Sequence, residues 1–289
     1  MGSNPTDAPF ISIVVTVRSE APHLRQLFDS LLVQEEPYEV VLVDALSRDG
    51  TWEIAQSYAA RYPARFRVFQ KYGSRGIGRN AGVAAAKGSF IVFIDGDCIA
   101  DSQWLQAMRR GFRNSLVVAG RTVPLGRSRF GPLERVELYQ HGNDVTYPSC
   151  NLGYQRALFE QLGGFDPRFI TAEDIDLNLR AVRAGATIVF IPTAIVYHYL
   201  RATMVRFLFQ AFWNGYGRKQ LTEKQGSLWG NYRVSRLLQN QRSPMAWTRI
   251  TAALGGYFAR VVTGVGERLS AEPSEMPVRE KDPAAGTGV

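Results

Sequence analysis

Cysteine and long apolar runs are both scarce in this chain of 289 residues. Its two cysteines, Cys98 and Cys150, lie far apart in sequence, which excludes the disulfide framework of small secreted proteins and favours a reducing compartment. We interpret both as packed small side chains. No apolar run reaches the roughly 18 residues that a membrane-spanning helix needs, and no signal peptide is visible before Phe10. We therefore expect a cytoplasmic protein, with peripheral contact at the inner face of the cell membrane as an open alternative.

Acidic side chains are scarce in the C-terminal third of the chain. The net charge of the whole chain is +8, and between residues 198 and 270 eleven Lys and Arg stand against two Glu. Aromatic residues are interleaved with this charge, so residues 201–270 are predicted to form a helical extension that either contacts a membrane interface or presents a solvated basic face. Nucleic acid is not an expected partner, because no recognised nucleic-acid module accompanies the charge. Residues 271–289 have the composition of a disordered tail.

Apolar runs and helical patterns alternate between residues 9 and 200. This alternation is typical of βαβ units around a mostly parallel sheet. The predicted strands are Ile11–Val17, Val40–Val43, Phe66–Phe69, Phe90–Ile94, Leu116–Val123, Thr187–Ile191 and Ala194–Tyr197. The predicted helices are Ala21–Val33, Thr51–Tyr62, Gly78–Ala86, Ser102–Phe112, Leu133–His141, Gln155–Leu162 and Asp174–Ala184. Sheets of this class bind ligands beyond the carboxyl ends of their strands, where Asp44 and Asp95 stand.

The sharpest chemical feature is Asp95-Gly96-Asp97, which follows an apolar strand. Two carboxylates one residue apart on a tight turn can bind a divalent cation and, through it, a diphosphate. The cation would neutralise charge on a departing nucleoside diphosphate. The alternative interpretation of the same pair is a turn or a helix cap.

Several sequence blocks in a fixed order resemble glycosyltransferase family 2. They are Ile11–Val17 with Glu20, Asp44 with Ser47 and Asp49–Thr51, Arg79–Gly82, Asp95–Asp97, Gly163–Asp166 and Glu173–Leu177. The resemblance extends from about Pro9 to about Arg218, and such a set is far harder to obtain by chance than any single block. It implies the GT-A fold, an α/β three-layer sandwich with a mostly parallel central sheet, over residues 9–200, followed by C-terminal helices.

The resemblance also implies an activity. Enzymes of this family invert the anomeric centre as they move a sugar from a nucleotide-diphospho-sugar, here a UDP- or GDP-sugar, to an acceptor hydroxyl on a glycan or a lipid-linked precursor. The implied cofactor is a divalent metal, Mg²⁺ or Mn²⁺. Processive synthases of the family carry a Gln-x-x-Arg-Trp block and transmembrane helices. Neither is evident in this sequence, so we expect the transfer of one sugar per encounter.

Each site residue receives its expected role from the same resemblance. Donor-nucleotide contacts fall on Glu20, Asp44, Arg79, Asn80 and Asp95, metal ligands on Asp95, Asp97 and His198, catalysis on Asp174 and Glu173, and acceptor-side contact on Asn151. Asp174 would act as the general base that takes the proton of the acceptor hydroxyl on the face opposite the leaving diphosphate.

Other interpretations stay open at the level of the sequence. Ala45, Leu46 and Arg48 depart from the family's Asp-Asp-Gly-Ser-Thr-Asp-Gly-Thr block, which leaves the nucleobase undetermined. The Gly76–Ala81 segment also fits a dinucleotide fingerprint, and acids at a helix start such as Glu173 can simply complement the helix dipole. A nucleotidyltransferase, which also uses paired carboxylates and metal, and a non-catalytic nucleotide-binding protein of the same fold are the alternative functions.

Overall fold

The computed structural model of the chain describes residues 9–126, 136–200, 203–232 and 244–263. The predicted tail at residues 271–289 lies outside these ranges. The strands of the described residues are β1 (Ile11–Val17), β2 (Tyr38–Asp44), β3 (Phe66–Gln70), β4 (Phe90–Asp95), β5 (Cys98–Ala100), β6 (Val117–Leu125), β7 (Tyr139–Gln140), β8 (Asn143–Asp144), β9 (Leu152–Gln155) and β10 (Ile188–Tyr199). Its α-helices are α1 (Ala21–Leu32), α2 (Thr51–Arg61), α3 (Arg75–Ala85), α4 (Trp104–Phe112), α5 (Arg156–Gln161), α6 (Glu173–Arg183), α7 (Met204–Gln225) and α8 (Pro244–Thr263).

Eight strands form one sheet in the order β3-β2-β1-β4-β9-β6-β10-β5. β1 pairs in parallel with β2 and β4, β2 with β3, and β6 with β10, whereas β9 and β5 run antiparallel to their neighbours. The predicted mostly parallel sheet is confirmed. Because β1, β2 and β4 run the same way, their carboxyl ends meet at one edge, where Val17 stands beside Asp44 and Thr16 beside Asp95.

Helices cover both faces of the sheet and create two hydrophobic cores. α1, α2 and α4 bury residues such as Leu27 and Trp104 against one face. α3, α5 and α6 enclose the other core, which contains Phe165. Successive residues of β1 alternate between the two, since Ile13 belongs to the first core and Val14 to the second. This is the three-layer sandwich that the sequence predicts.

Helix α3 lies unusually close to the sheet. A Cβ at Gly82 would stand 2.5 Å from Cγ1 of Val14, so a side chain at this position would push the helix away. The helix begins after Ser74, whose hydroxyl accepts a hydrogen bond from the backbone N–H of Ile77. This close approach brings Arg79 of α3 directly behind the carboxyl edge of β1 and β4.

Some elements differ from the sequence prediction. The helix predicted at residues 133–141 is wrong over its described part, because β7 pairs with β8 there and His141 and Gly142 turn with φ of 46° and 77°. Strands β5 and β9 are not predicted. With three and four residues, they are too short to show a recognisable alternation of apolar and polar side chains. The last two predicted strands form the single strand β10, with an irregularity between Ile191 and Ile195.

Two helices, α7 and α8, follow the sheet, as the sequence predicts. They cross at very short range, since a Cβ at Gly215 would stand 1.7 Å from the carbonyl oxygen of Ala253, and a Cβ at Gly256 would stand 1.8 Å from that of Phe212. Leu221 of α7 is fully buried in the second core. Among the described helices, none has both the length and the apolar character needed to cross a bilayer.

Candidate active site

A tight turn after β4 carries the first pair of carboxylates. Asp95 ends the strand, and Gly96 turns the chain beneath the start of α1. A Cβ at Gly96 would stand 2.6 Å from Cγ1 of Val17 and 3.0 Å from Cγ of Glu20. Because only glycine fits this space without displacing its neighbours, Asp95, Asp97 and Glu20 are held in one corner of the sheet edge.

His198 reaches the same corner from β10. The antiparallel pairing of β5 with β10 places His198 opposite Cys98, and Nε2 of His198 lies 3.3 Å from Oδ1 of Asp97. Burial alone would lower the pKa of His198, but the hydrogen bond and the charge of Asp97, together with the charge of Asp95, raise it to about 9. Without a cation, the imidazole is therefore protonated and paired with Asp97 at neutral pH.

Three side chains in this corner are close enough together to bind one metal ion. One ligand atom each from Asp97, Cys98 and His198 lies within 4.8 Å of the other two. A carboxylate and an imidazole at this spacing are suitable ligands for a divalent cation. Asp95 is not in this group, and its Oδ1 accepts a hydrogen bond from Nη2 of Arg79, so its role as a metal ligand stays a prediction.

Arg79 lies beneath the site and connects its two acidic groups. Its guanidinium is 2% exposed, and it donates from Nη2 to Asp95 at 2.8 Å and from Nη1 to Glu173 at 2.7 Å. Burial alone would lower the pKa of Arg79, but the charges of Asp95, Glu173 and Asp174 raise it further above its usual range. Arg79 is thus a permanent buried cation. Both of its terminal nitrogens are engaged by carboxylates, and the donor-nucleotide contact expected from the sequence stays a prediction.

Asp174 stands in the first turn of α6, next to Glu173. Its Oδ2 accepts a hydrogen bond from the backbone N–H of Ser149 at 3.1 Å, and its Oδ1 accepts one from that of Ile175 at 2.8 Å. Burial and the charge of Glu173 raise the pKa of Asp174 to about 6, against the opposing effect of Arg79. A carboxylate with a pKa near 6 is ionised at neutral pH and more basic than an exposed aspartate, which suits a general base.

Asp44 organises the loop that follows β2. Its side chain is fully buried and accepts hydrogen bonds from the backbone N–H and the hydroxyl of Ser47 and, at 2.7 Å, from Nε2 of Gln70. Farther along the loop, Oδ1 of Asp49 accepts a hydrogen bond from the hydroxyl of Thr51 at 2.5 Å. Asp49 thus supports the turn that leads into α2. Asp44 itself is placed at the expected strand end, but its carboxylate supports the loop from behind.

Two asparagines are less available than the sequence implies. Asn80 uses both ends of its amide on the backbone of Phe165, donating to the oxygen at 2.7 Å and accepting from the nitrogen at 2.9 Å. Asn151 is fully buried, and its Oδ1 accepts a hydrogen bond from Nε1 of Trp104 at 2.9 Å. Its Nδ2 donates to two backbone carbonyls. Direct contact of Asn151 with an acceptor is therefore corrected to a structural role.

Known proteins resemble this chain in sequence and in fold. Residues 12–163, just over half of the chain, match the family model described as glycosyl transferase family 2. The chain belongs to glycosyltransferase family 2. It is 27% identical over 195 residues to glycosyltransferase AglE of Haloferax volcanii, covering 63% of this chain and 64% of AglE. The match thus spans just under two thirds of that relative's length.

Two solved structures share the fold. The mannosyltransferase PcManGT from Pyrobaculum calidifontis, in complex with GDP-Man and Mn²⁺, superposes with a TM-score of 0.63 at 18% identity, covering 93% of this chain and 81% of that one. TarS of S. aureus in complex with UDP-GlcNAc has a TM-score of 0.58 at 19% identity, with coverage of 90% and 83%. The predicted GT-A fold is confirmed.

Within this family 2 site, two features are missed by sequence reasoning. Arg79 is predicted to face the donor, whereas it bridges Asp95 and Glu173 from beneath. The thiols of Cys98 and Cys150 are interpreted as packed small side chains, whereas Cys98 stands opposite His198 beside the metal-binding corner, and burial next to Cys150 raises the pKa of its thiol. The position of Cys98 directly after Asp97 is a usable sequence signal, but nothing in the sequence places Cys150 next to it.

Proposed function

We propose that this chain is an inverting glycosyltransferase that moves a single sugar from a nucleoside diphosphate sugar to an acceptor hydroxyl. The observation that carries the proposal is the buried bridge from Asp95 through Arg79 to Glu173. It fixes the acidic turn after β4 and the acidic start of α6 at one sheet edge. Direct displacement at an anomeric carbon needs a stabilised leaving group on one side, here a diphosphate with its cation, and a base on the other.

On the donor side, we propose that Asp97 and His198 hold Mg²⁺ or Mn²⁺, with Asp95 beside them. When bound, the cation neutralises the charge that develops on the departing nucleoside diphosphate. Glu20 and Asp44 border the nucleotide pocket in this proposal. The donor class is supported by the fold neighbours that bind GDP-Man with Mn²⁺ and UDP-GlcNAc. The unusual loop at Ala45–Arg48 leaves both UDP- and GDP-sugars as donors to be compared.

On the acceptor side, we propose Asp174 as the base and Glu173 as its neighbour in the same carboxylate group. As the acceptor oxygen bonds to the anomeric carbon, its proton passes to Asp174 and the bond between the sugar and the diphosphate breaks. The nucleoside diphosphate departs, and the sugar emerges with inverted configuration. The elevated pKa of Asp174 strengthens it as a proton acceptor.

We further propose that the chain works at a membrane surface on a glycan or lipid-linked acceptor. Helix α8 contains no Asp or Glu. Trp247, Leu254, Phe258 and Val261 lie three to seven residues apart on α8 and are 50–60% exposed. An exposed apolar stripe with basic neighbours and no acids is typical of helices at a bilayer interface. No nucleic-acid partner is proposed.

The decisive experiment separates sugar transfer from the alternative nucleotidyl transfer. The full chain is incubated with UDP- and GDP-sugars and Mn²⁺, and the released products are identified. We expect a nucleoside diphosphate together with a sugar-acceptor conjugate of inverted anomeric configuration. Release of pyrophosphate with formation of a new nucleotide-sugar would replace the proposal with a nucleotidyltransferase. Nucleotide binding without any product would leave a non-catalytic binding protein.

A further inference from the structure

Helix α6, whose first turn carries Asp174, begins without the usual means of fixing a helix start. The residue before it, Ala172, has a left-handed backbone with φ of 65°, which is unusual for a residue that has a Cβ. Alanine also has no side-chain oxygen with which to cap the first turn. Contacts with other parts of the chain are therefore needed to hold this turn, and with it Asp174, in place.

Helix α7 lies along the segment that leads into α6. A Cβ at Gly217 of α7 would stand 2.6 Å from Cγ2 of Thr171 and 2.7 Å from the carbonyl oxygen of the same residue, so only glycine allows the helix to come this close. Three residues later, Gln220 donates a hydrogen bond from Nε2 to the backbone oxygen of Arg168 at 2.6 Å. The C-terminal extension thus contacts the backbone just before α6 at two points.

Asp176 is the third acidic residue in the first turn of α6, and the proposed reaction gives it no role. Its side chain is 0% exposed. It accepts hydrogen bonds from Arg180 of its own helix at 2.9 Å, from Lys224 at 2.9 Å and from Gln225 at 2.6 Å. A buried carboxylate is costly unless it is paired, and two of these three donors lie in the last turn of α7. The end of α7 therefore holds the start of α6.

Lys224 binds a second carboxylate, that of Asp166, at 2.6 Å. Burial alone would raise the pKa of Asp166, but hydrogen bonds from Arg168 and Lys224 lower it well below its usual range. Asp166 directly follows Phe165, and the guanidinium of Arg79 lies over the Phe165 ring at 5.5 Å from its centroid. One ammonium group thus links α7, the segment before α6 and α6 itself, and this segment in turn packs against the buried bridge of the candidate active site.

We propose that Lys224 is a positioning residue for Asp174. By holding Asp166 and Asp176 together, it keeps the first turn of α6 where Asp174 meets the acceptor hydroxyl. The inference rests on the proposed function, in which Asp174 is the base. A base must lie within hydrogen-bonding reach of the proton that it takes, and a displacement of about 1 Å can slow a reaction roughly 100-fold. Lys224 lies outside residues 12–163, which match the family model, so the proposal extends the active site to the C-terminal extension.

Kinetics of Lys224→Met test this role. Methionine keeps an unbranched stem and removes the charge, and Asp176 keeps its other two donors, so the variant should fold. We expect kcat for sugar transfer to fall roughly 10- to 100-fold. The KM for the donor and Mn²⁺-dependent binding of UDP and GDP should stay close to their wild-type values, because the corner of Asp97 and His198 is built by the turn after β4 and by β10.

Two further lysine variants complete the comparison. Lys224→Arg can still donate to two carboxylates and should recover most of the lost kcat. Lys219→Met is the matched control on the same helix, because the Lys219 side chain is 23% exposed against 27% for Lys224 and its ion pair is with Glu223 of its own helix. We expect wild-type kcat in Lys219→Met. Urea unfolding shows that every variant is folded under the conditions of the assay.

Amide hydrogen exchange measures the hold of α7 on α6 without depending on activity. The N–H of Asp176 donates to the carbonyl oxygen of Ala172 at 3.0 Å, at the start of the helix. In Lys224→Met this amide should exchange faster, while the amide of Ala184 at the other end of α6 keeps its wild-type rate. Gln225→Leu leaves both contacts of Lys224 in place and should show a smaller change in the same direction. This milder variant keeps the test available if Lys224→Met fails to fold.

The two measurements together distinguish failure of this proposal from failure of the proposed function. Wild-type exchange and wild-type kcat in Lys224→Met overturn the positioning role and leave the transferase intact. Faster exchange with wild-type kcat also overturns it, since the link would then serve stability alone. Equal losses of kcat and of nucleotide binding overturn it as well, because the damage would not be confined to the base. A wild-type chain that transfers no sugar removes the transferase proposal and the positioning role with it, even where exchange at Asp176 responds to Lys224→Met.

Discussion

Arg79 donates a hydrogen bond to Glu173 at 2.7 Å beneath the candidate active site, although 94 residues separate them in sequence. The same guanidinium donates to Asp95, so one buried cation serves two carboxylates from different elements. Burying these three charges is costly unless each is paired. The geometry of the site is therefore tied to the stability of the fold.

Replacing Arg79 by Met should destabilise the protein strongly. Two carboxylates would stay behind without a cation, and breaking a buried pair typically costs about 3–5 kcal/mol. The free energy of unfolding in urea measures the loss. Glu160→Gln is the control, since it breaks a half-exposed pair with Arg156 and should cost at most about 1 kcal/mol. Equal effects of the two substitutions would contradict the structural importance of the bridge.

Asp174→Asn should retain donor binding, but its rate of sugar transfer should fall by roughly 100- to 10,000-fold, which is the usual contribution of a positioned general base. In the wild type, kcat/KM should fall as the pH drops through about 6, because the base becomes protonated. The acidic limb should vanish in Asp174→Asn. The pH profile of nucleoside diphosphate release measures both effects, with Asp29→Asn as the control. An unchanged acidic limb in the variant would place the base elsewhere.

The same substitution should stabilise the fold at alkaline pH. The pKa of Asp174 is about 6 in the folded protein and near 4 in the unfolded chain. Ionised Asp174 therefore destabilises the fold above pH 6, and this effect disappears below pH 4. Asp174→Asn should thus raise the free energy of unfolding by about 1–3 kcal/mol at pH 8, and by almost nothing at pH 4. Urea unfolding at the two pH values measures the difference. A gain of equal size at both would exclude charge burial as its cause.

Sequence alone predicts much of this site because long buried strands deliver their last residue to a common edge. Asp44 and Asp95 follow from that rule. The roles of Arg79 and Asn151 do not, because whether a polar side chain faces a ligand or the protein depends on packing between distant elements. The short strand β5 illustrates the same limit. Its three residues show no recognisable hydrophobic pattern in the sequence, yet the strand places Cys98 opposite His198.

Asp97→Asn should remove the Mn²⁺ dependence of nucleoside diphosphate binding and lower the pKa of His198. The pKa falls from about 9 towards its usual value of about 6.5 because the carboxylate partner is lost. In the wild type, the pairing of Asp97 with His198 stabilises the fold fully below pH 6.5, and this contribution is lost as the pH rises through 9. The free energy of unfolding of the variant should lack this pH dependence. Calorimetric titration of nucleotide and metal, and proton NMR of the imidazole, measure the two effects. Unchanged Mn²⁺ dependence would remove Asp97 as a ligand.

Phe258→Asp should weaken binding of the chain to anionic lipid vesicles. Phe258 is 60% exposed on α8, and burial of a side chain of this size contributes about 1.5–3 kcal/mol, so we expect at least a roughly tenfold loss of vesicle affinity. The assay is sedimentation with phosphatidylglycerol-containing vesicles, compared with pure phosphatidylcholine. Val33→Asp, which also charges an exposed apolar position but lies at the end of α1, is the matched control.

The wild type and the Val33→Asp protein should bind the anionic vesicles equally, and added salt should weaken both because part of the attraction is between basic side chains and lipid phosphates. Emission from the exposed Trp247 should shift to shorter wavelength on binding if α8 enters the interface. Vesicle affinity that is the same for wild type and Phe258→Asp would show that α8 is not the contact surface, and the apolar stripe would then be assigned to a protein partner.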